Sequence, residues 1–117
     1  RNMYNYNDLF LFQKVYDLVL WFHPILNRFP KSQKFVLAQR IENCLIEILE
    51  DLVKLNSQKF RSEMLIENLN IKIDRLRILV RLAKDLKFIS IKSYGVFAEK
   101  ITEVGKLLGG FKKFKNT

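Results

Sequence analysis

Ala38-Gln39-Arg40-Ile41-Glu42-Asn43-Cys44-Leu45-Ile46-Glu47-Ile48-Leu49-Glu50-Asp51-Leu52-Val53-Lys54-Leu55 places apolar side chains at 38, 41, 45, 48, 52 and 55, in alternating steps of three and four. Side chains so spaced share one face of a 3.6-residue helix, and Glu42, Glu47, Glu50 and Asp51 fall outside that face. The reading is an amphipathic helix over about 33–55 that needs other helices to bury its stripe.

The same period extends outward in both directions. Upstream, Leu11, Val15, Leu18, Phe22 and Ile25 define a helix over about 8–28, capped by Asn7 or Asp8, with a second stripe of Phe12, Tyr16, Val19 and Leu26 beside the first. Pro24 removes a backbone donor and is expected to bend this helix. Phe29-Pro30-Lys31-Ser32 ends it and offers Ser32 as the next cap. Downstream, Asn56-Ser57 breaks the chain before a third helix over about 58–88, begun near Ser57 or Phe60, whose core face is Leu65, Leu69, Ile73, Leu76, Val80 and Ala83. Ser90 caps a last helix over about 90–112, with Tyr94, Phe97, Ile101, Val104, Leu108 and Phe111 inward and a basic tail at 112–117. Short links make sequential helices antiparallel neighbours. The expected fold is therefore all-α: an up-down-up-down four-helix bundle formed by residues 1–117 as a single domain.

Composition agrees with that reading. With 117 residues, 49% of them hydrophobic, and only four Gly and two Pro, the chain has enough apolar surface for one core and too few turn residues for a sheet. No run is expected to have the length and apolarity of a membrane span, and no signal-peptide pattern opens the chain. Cys44 is the sole cysteine, so no disulfide or thiolate metal site forms within one chain, and it reads as a small buried hydrophobe.

Two features exceed what a solitary bundle requires. Ile71, Ile78 and Leu82 lie on an arc of the third helix away from its core face, and such an apolar surplus points to a subunit contact. Gly105 and Gly109 sit four apart on the last helix, where glycine is costly unless something packs closely, a neighbouring helix or another subunit.

Charge is unevenly distributed. Lys and Arg number 21 against 12 Asp and Glu, a net +9; residues 1–71 hold 9 basic and 8 acidic side chains, whereas residues 72–117 hold 12 and 4. On the third helix Arg77, Arg81 and Lys84 share one stripe with Lys87 at its margin, relieved in part by Asp74 and Asp85. Lys92, Lys106, Lys112, Lys113 and Lys115 belong to the same half, the last three interleaved with Phe111 and Phe114. These nine cations are the candidate nucleic-acid-binding residues, since a local positive excess attracts polyanions. Lys72 and Arg75 instead lie within or beside the apolar arcs and are expected to be structural, either snorkelling along their stems or pairing with Glu42, Glu47 or Glu50 of a neighbouring helix.

Catalysis has little to stand on. His23, the single histidine, precedes Pro24 on an apolar helix and reads as a core or interface residue rather than a base or ligand. Neither a metal-ligand set nor a glycine-rich phosphate loop is recognisable, so no catalytic, cofactor or metal residue is assigned.

Four blocks in order carry a family resemblance: Phe29-Pro30-Lys31-Ser32-Gln33-Lys34-Phe35, Ala38-Gln39-Arg40-Ile41-Glu42-Asn43, Leu79-Val80-Arg81-Leu82-Ala83-Lys84-Asp85-Leu86 and Glu103-Val104-Gly105-Lys106-Leu107-Leu108-Gly109-Gly110. Together they resemble the accessory variability determinant proteins of diversity-generating retroelements. The resemblance implies a barrel-like homopentamer of four-helix protomers in the cytoplasm, without enzymatic activity. It also implies binding to RNA and DNA and to the element's reverse transcriptase, in support of mutagenic complementary-DNA synthesis and retrohoming. Neither a small-molecule substrate nor a membrane is implied. The four-helix proteins encoded in intervening sequences of 23S ribosomal RNA genes share the Phe-Pro-Lys corner and are the nearest alternative; a basic scaffold for protein interactions is the other. Gly109-Gly110-Phe111 departs from the family's usual Gly-Gly-Trp.

Overall fold

The computed structural model describes residues 6–57 and 62–115, with side chains over 9–57 and 62–111. Helix α1 spans Tyr6–Asn27. A single turn at Lys31–Gln33 runs through a π-helical segment, Lys34–Ala38, into α2, Gln39–Asn56. Helix α3 spans Glu63–Asp85 and α4 spans Ile91–Lys115. Among the described residues there is no strand. Each helix packs on the next and α4 closes on α1, so α1 and α3 stand at opposite corners of a square bundle with extents of 46 × 21 × 21 Å.

The periodic stripes form the core. Leu11, Val15, Leu18, Phe22 and Ile25 of α1 meet Ile41, Leu45, Ile48, Leu52 and Leu55 of α2; Leu69, Ile73, Leu76, Val80 and Ala83 of α3 meet Phe97, Ile101, Val104, Leu108 and Phe111 of α4. Burying a large apolar side chain is worth about 1.5–3 kcal/mol, so these stripes dominate the stability of the fold. Phe22 and Phe97 join the two halves with ring centroids 5.6 Å apart.

Helix ends depart from the sequence reading where caps decide them. Ser32 does not cap the second helix: the helical turn starts at Lys31 behind Pro30, whose fixed φ suits that place, and the Gln33 N–H donates to the Pro30 carbonyl at 2.8 Å. The cap of α3 is Ser62, whose Oγ accepts from the Leu65 N–H at 3.1 Å; the expected start reached into residues 58–61, outside the described residues. Ile66 is buried in the core, and Leu65, expected there, is half-buried and packs against it. At its other end α3 stops at Asp85, three residues early, because Lys87 turns into the left-handed region at φ 67° and the Phe88 N–H returns to the Ala83 carbonyl at 2.8 Å. Ser90 caps α4 as expected, accepting from the Ser93 N–H at 3.0 Å. Helix α1 continues through Pro24 to Asn27.

Against expectation, the stretch Leu9–Asn27 is long and apolar enough to cross a membrane, by length and composition. Its buried members, Leu11, Val15, Leu18 and Phe22, are committed to the bundle core.

Candidate nucleic-acid interface

Helix α3 presents the predicted basic stripe, and each of its cations has a carboxylate in reach. Arg77 pairs with Asp74 at 2.9 Å, Lys84 with Asp85 at 3.1 Å, and Arg81 approaches the same Asp85 at 3.9 Å. The Lys84 ammonium also lies 4.8 Å from the centroid of the Tyr94 ring on α4. Asp85 is shared between two cations, so the stripe keeps a positive surplus.

Arg77 has a second role. A Cβ on Gly105 would come within 3.3 Å of its guanidinium, so Gly105 admits the Arg77 side chain over the backbone of α4. The close neighbour expected for this glycine is thus a side chain of the same protomer. A Cβ on Gly109 would meet nothing within 4 Å, and the protomer supplies no close packing there.

Lys72 and Arg75 lie apart from the stripe and tie α3 to α2. Lys72 reaches Asp51 at 2.6 Å and Glu47 at 3.7 Å, and Arg75 donates to Glu47 at 3.0 Å. Of the expected partners only Glu47 is used; Glu42 instead faces His23 at 3.2 Å, and Asp51, assigned to the outer face, is buried between the helices. Cys44 lies beneath this ladder and donates through Sγ to the Lys72 carbonyl at 3.4 Å. Burial pushes its thiol above the ordinary range, opposed by the nearby Arg75 guanidinium. His23 is exposed, with Asn27 Nδ2 3.3 Å from its Nε2, and is not a core residue of the protomer. Among the described residues no group of His, Cys, Asp and Glu could hold a metal ion.

Topology divides the remaining cations. Helices α3 and α4 are antiparallel, so Lys87 and Lys92 flank the α3–α4 corner while the backbone of Lys112, Lys113 and Lys115 lies at the far end of α4, roughly 30 Å away at about 1.5 Å per residue. The side chains of these three tail lysines fall outside the described residues. Lys106 is exposed on the distal half of α4. The basic half of the sequence is thus not one basic face.

The α1–α2 corner meets the α3–α4 corner, where the Phe29 and Phe88 rings lie 5.7 Å apart. Arg28, Lys31 and Lys34 are exposed there and have no acidic partner among the described residues, as is true of Lys87 and Lys92. Sequence reasoning passes over the first three because the net charge of residues 1–71 averages them against the acids of α2. The signal is local: 28–35 contains three cations and no acid.

Two outer faces remain apolar. On α3, Ile71, Ile78 and Leu82 are exposed as expected, and Met64 extends them into a line opposite the core face. On α1 the exposed line is Leu9, Tyr16 and Leu20; of the predicted second stripe only Tyr16 belongs to it, since Leu26 is buried and Phe12 and Val19 pack against the core.

The sequence model of the bAvd-like family matches residues 9–115. No curated protein and no solved structure gives a significant match.

Proposed function

Because the chain belongs to the bAvd-like family, we propose that it is a non-enzymatic accessory protein of a diversity-generating retroelement. In this role it binds the template RNA and its complementary DNA and docks the element's reverse transcriptase in the cytoplasm. The observation that carries the nucleic-acid reading is the net +9, displayed largely on exposed side chains of a small bundle. Such a surface gives salt-dependent attraction to phosphates without sequence preference. The apolar lines on α1 and α3 support the second element of the proposal, a closed homopentamer: exposed stripes at opposite corners suit an interface repeated from copy to copy.

Binding of labelled RNA across a salt series tests the first element. Affinity is expected to fall steeply as salt rises, and converting Arg77, Arg81 and Lys84 to Gln lowers the slope of log affinity against log salt by roughly 0.7–0.9 for each phosphate no longer neutralised. A slope near zero for the wild type would remove the nucleic-acid reading and favour a scaffold for acidic proteins. Light scattering tests the second element, with five chains of 14.0 kDa expected and a monomer at micromolar concentration excluding it.

A further inference from the structure

Lys87 holds a backbone conformation that lysine disfavours. At φ 67° it fills the left-handed position that closes α3, where glycine fits without the clash of a Cβ. A strained residue persists where its side chain is wanted or its surroundings force it, and strain of this kind gathers at functional sites. The surroundings are informative. Lys84, Asp85, Lys87, Phe88, Ser90 and Ile91 are among the residues that line an open depression of about 660 Å³ at the α3–α4 corner. Across the Phe29–Phe88 contact, the α1–α2 corner adds Arg28, Lys31 and Lys34 and a ring held almost wholly in solvent, Phe35 at 85% exposure. An aromatic side chain so exposed gains nothing for the protomer's core, and the π-helical turn from Lys34 to Ala38 is the element that carries it.

We propose that this end of the bundle is a binding site for single-stranded nucleic acid, in which Arg28, Lys31, Lys34, Lys87 and Lys92 hold successive phosphates and Phe35 stacks on a base. The proposal rests on the nucleic-acid reading above and assigns it to residues of both corners. The chemistry favours a single strand over a duplex, because only an unpaired base offers its face to an exposed ring. The dimensions fit: a bundle end 21 Å across spans about six phosphates at about 3.4 Å per nucleotide of one stacked strand. Charge fits too: Asp85 is engaged by Lys84 and Arg81, and Glu42, which lines a depression with Lys34 and Phe35, faces His23 at 3.2 Å.

The test uses fluorescence anisotropy with a labelled oligouridylate and a DNA duplex of the same length, on the intact protein. Phe35→Ala is expected to weaken oligouridylate binding between about fivefold and a hundredfold, the range for removal of one stacked base, with duplex affinity nearly unchanged. Lys31→Gln combined with Lys34→Gln lowers the single-strand salt slope by about 1.4. Lys87→Gly separates site from scaffold: it is expected to raise the thermal midpoint by a few degrees while weakening single-strand binding, two effects of opposite sign that a purely structural lysine does not produce. Wild-type affinity and slope in all three variants would overturn the corner site and leave nucleic-acid binding to other cations. Wild-type RNA binding together with abolished pull-down of the reverse transcriptase would overturn it in favour of a protein-docking corner. If the unaltered protein binds neither probe, the broader reading fails with it.

Discussion

Lys72 and Asp51 show how a charged pair is accommodated inside a bundle. The lysine stem crosses apolar surface, and its head meets a carboxylate whose side chain is only 10% exposed. Removing one partner strands the other, so Lys72→Met is expected to destabilise the fold by roughly 1–3 kcal/mol, and adding Asp51→Leu recovers most of that deficit in denaturant titrations. Cys44 adds a pH dependence. Its folded thiol titrates above the ordinary 9.0, so the neutral form contributes stability that is fully present below that value and is lost as pH rises through the folded one. The wild type should therefore lose stability above pH 9.0 more steeply than Cys44→Ala, measured by chemical denaturation at each pH. Pairing of Lys72 and Arg75 with α2 was legible from their place on the wheel. The choice of Asp51 was not, because partner register depends on how two helices slide along each other.

Among the elements, the core faces were legible almost residue by residue, since a 3.6 period needs no tertiary information. Helix ends were less so, because spacing offers more than one candidate for a cap and an extended backbone alone does not choose between them. Ser57 is extended as well, at φ −90° and ψ 121°, yet it closes α2, whereas Ser62, at φ −156° and ψ 161°, accepts from the Leu65 N–H. Ser62→Ala is thus expected to cost about 1 kcal/mol and Ser32→Ala almost nothing, by thermal or urea denaturation, in contrast to the caps suggested by spacing. The π-helical turn had no signature in the periodic pattern. It adds a residue to one turn ahead of α2, and Phe35 and Val36 stand in solvent while Leu37 and Ala38 enter the core.

At the scale of the whole molecule, opposite placement of the two apolar lines makes the proposed ring interface testable as a head-to-tail one. Leu20→Glu spoils the α1 line and Ile78→Glu the α3 line, with both side chains exposed in the protomer. Each variant alone is expected to be monomeric, and an equimolar mixture forms a one-to-one dimer through the one intact pair of faces. Dimers of either variant alone would show like faces pairing instead. Of the basic surface the α3 stripe was legible from the helical period, whereas a linear count assigns Lys92 and Lys112 to one group although they stand at opposite ends of α4.

The up-down-up-down path also brings the start of α1 and the finish of α4 to the end of the bundle away from the Phe29–Phe88 contact. Copies can therefore be fused in tandem, or anchored to a sensor surface, without attachments near Phe35 or Lys87. Concatenated chains carrying a chosen number of altered corners would then report how many corners one strand must engage, a stoichiometry that mixing free subunits blurs.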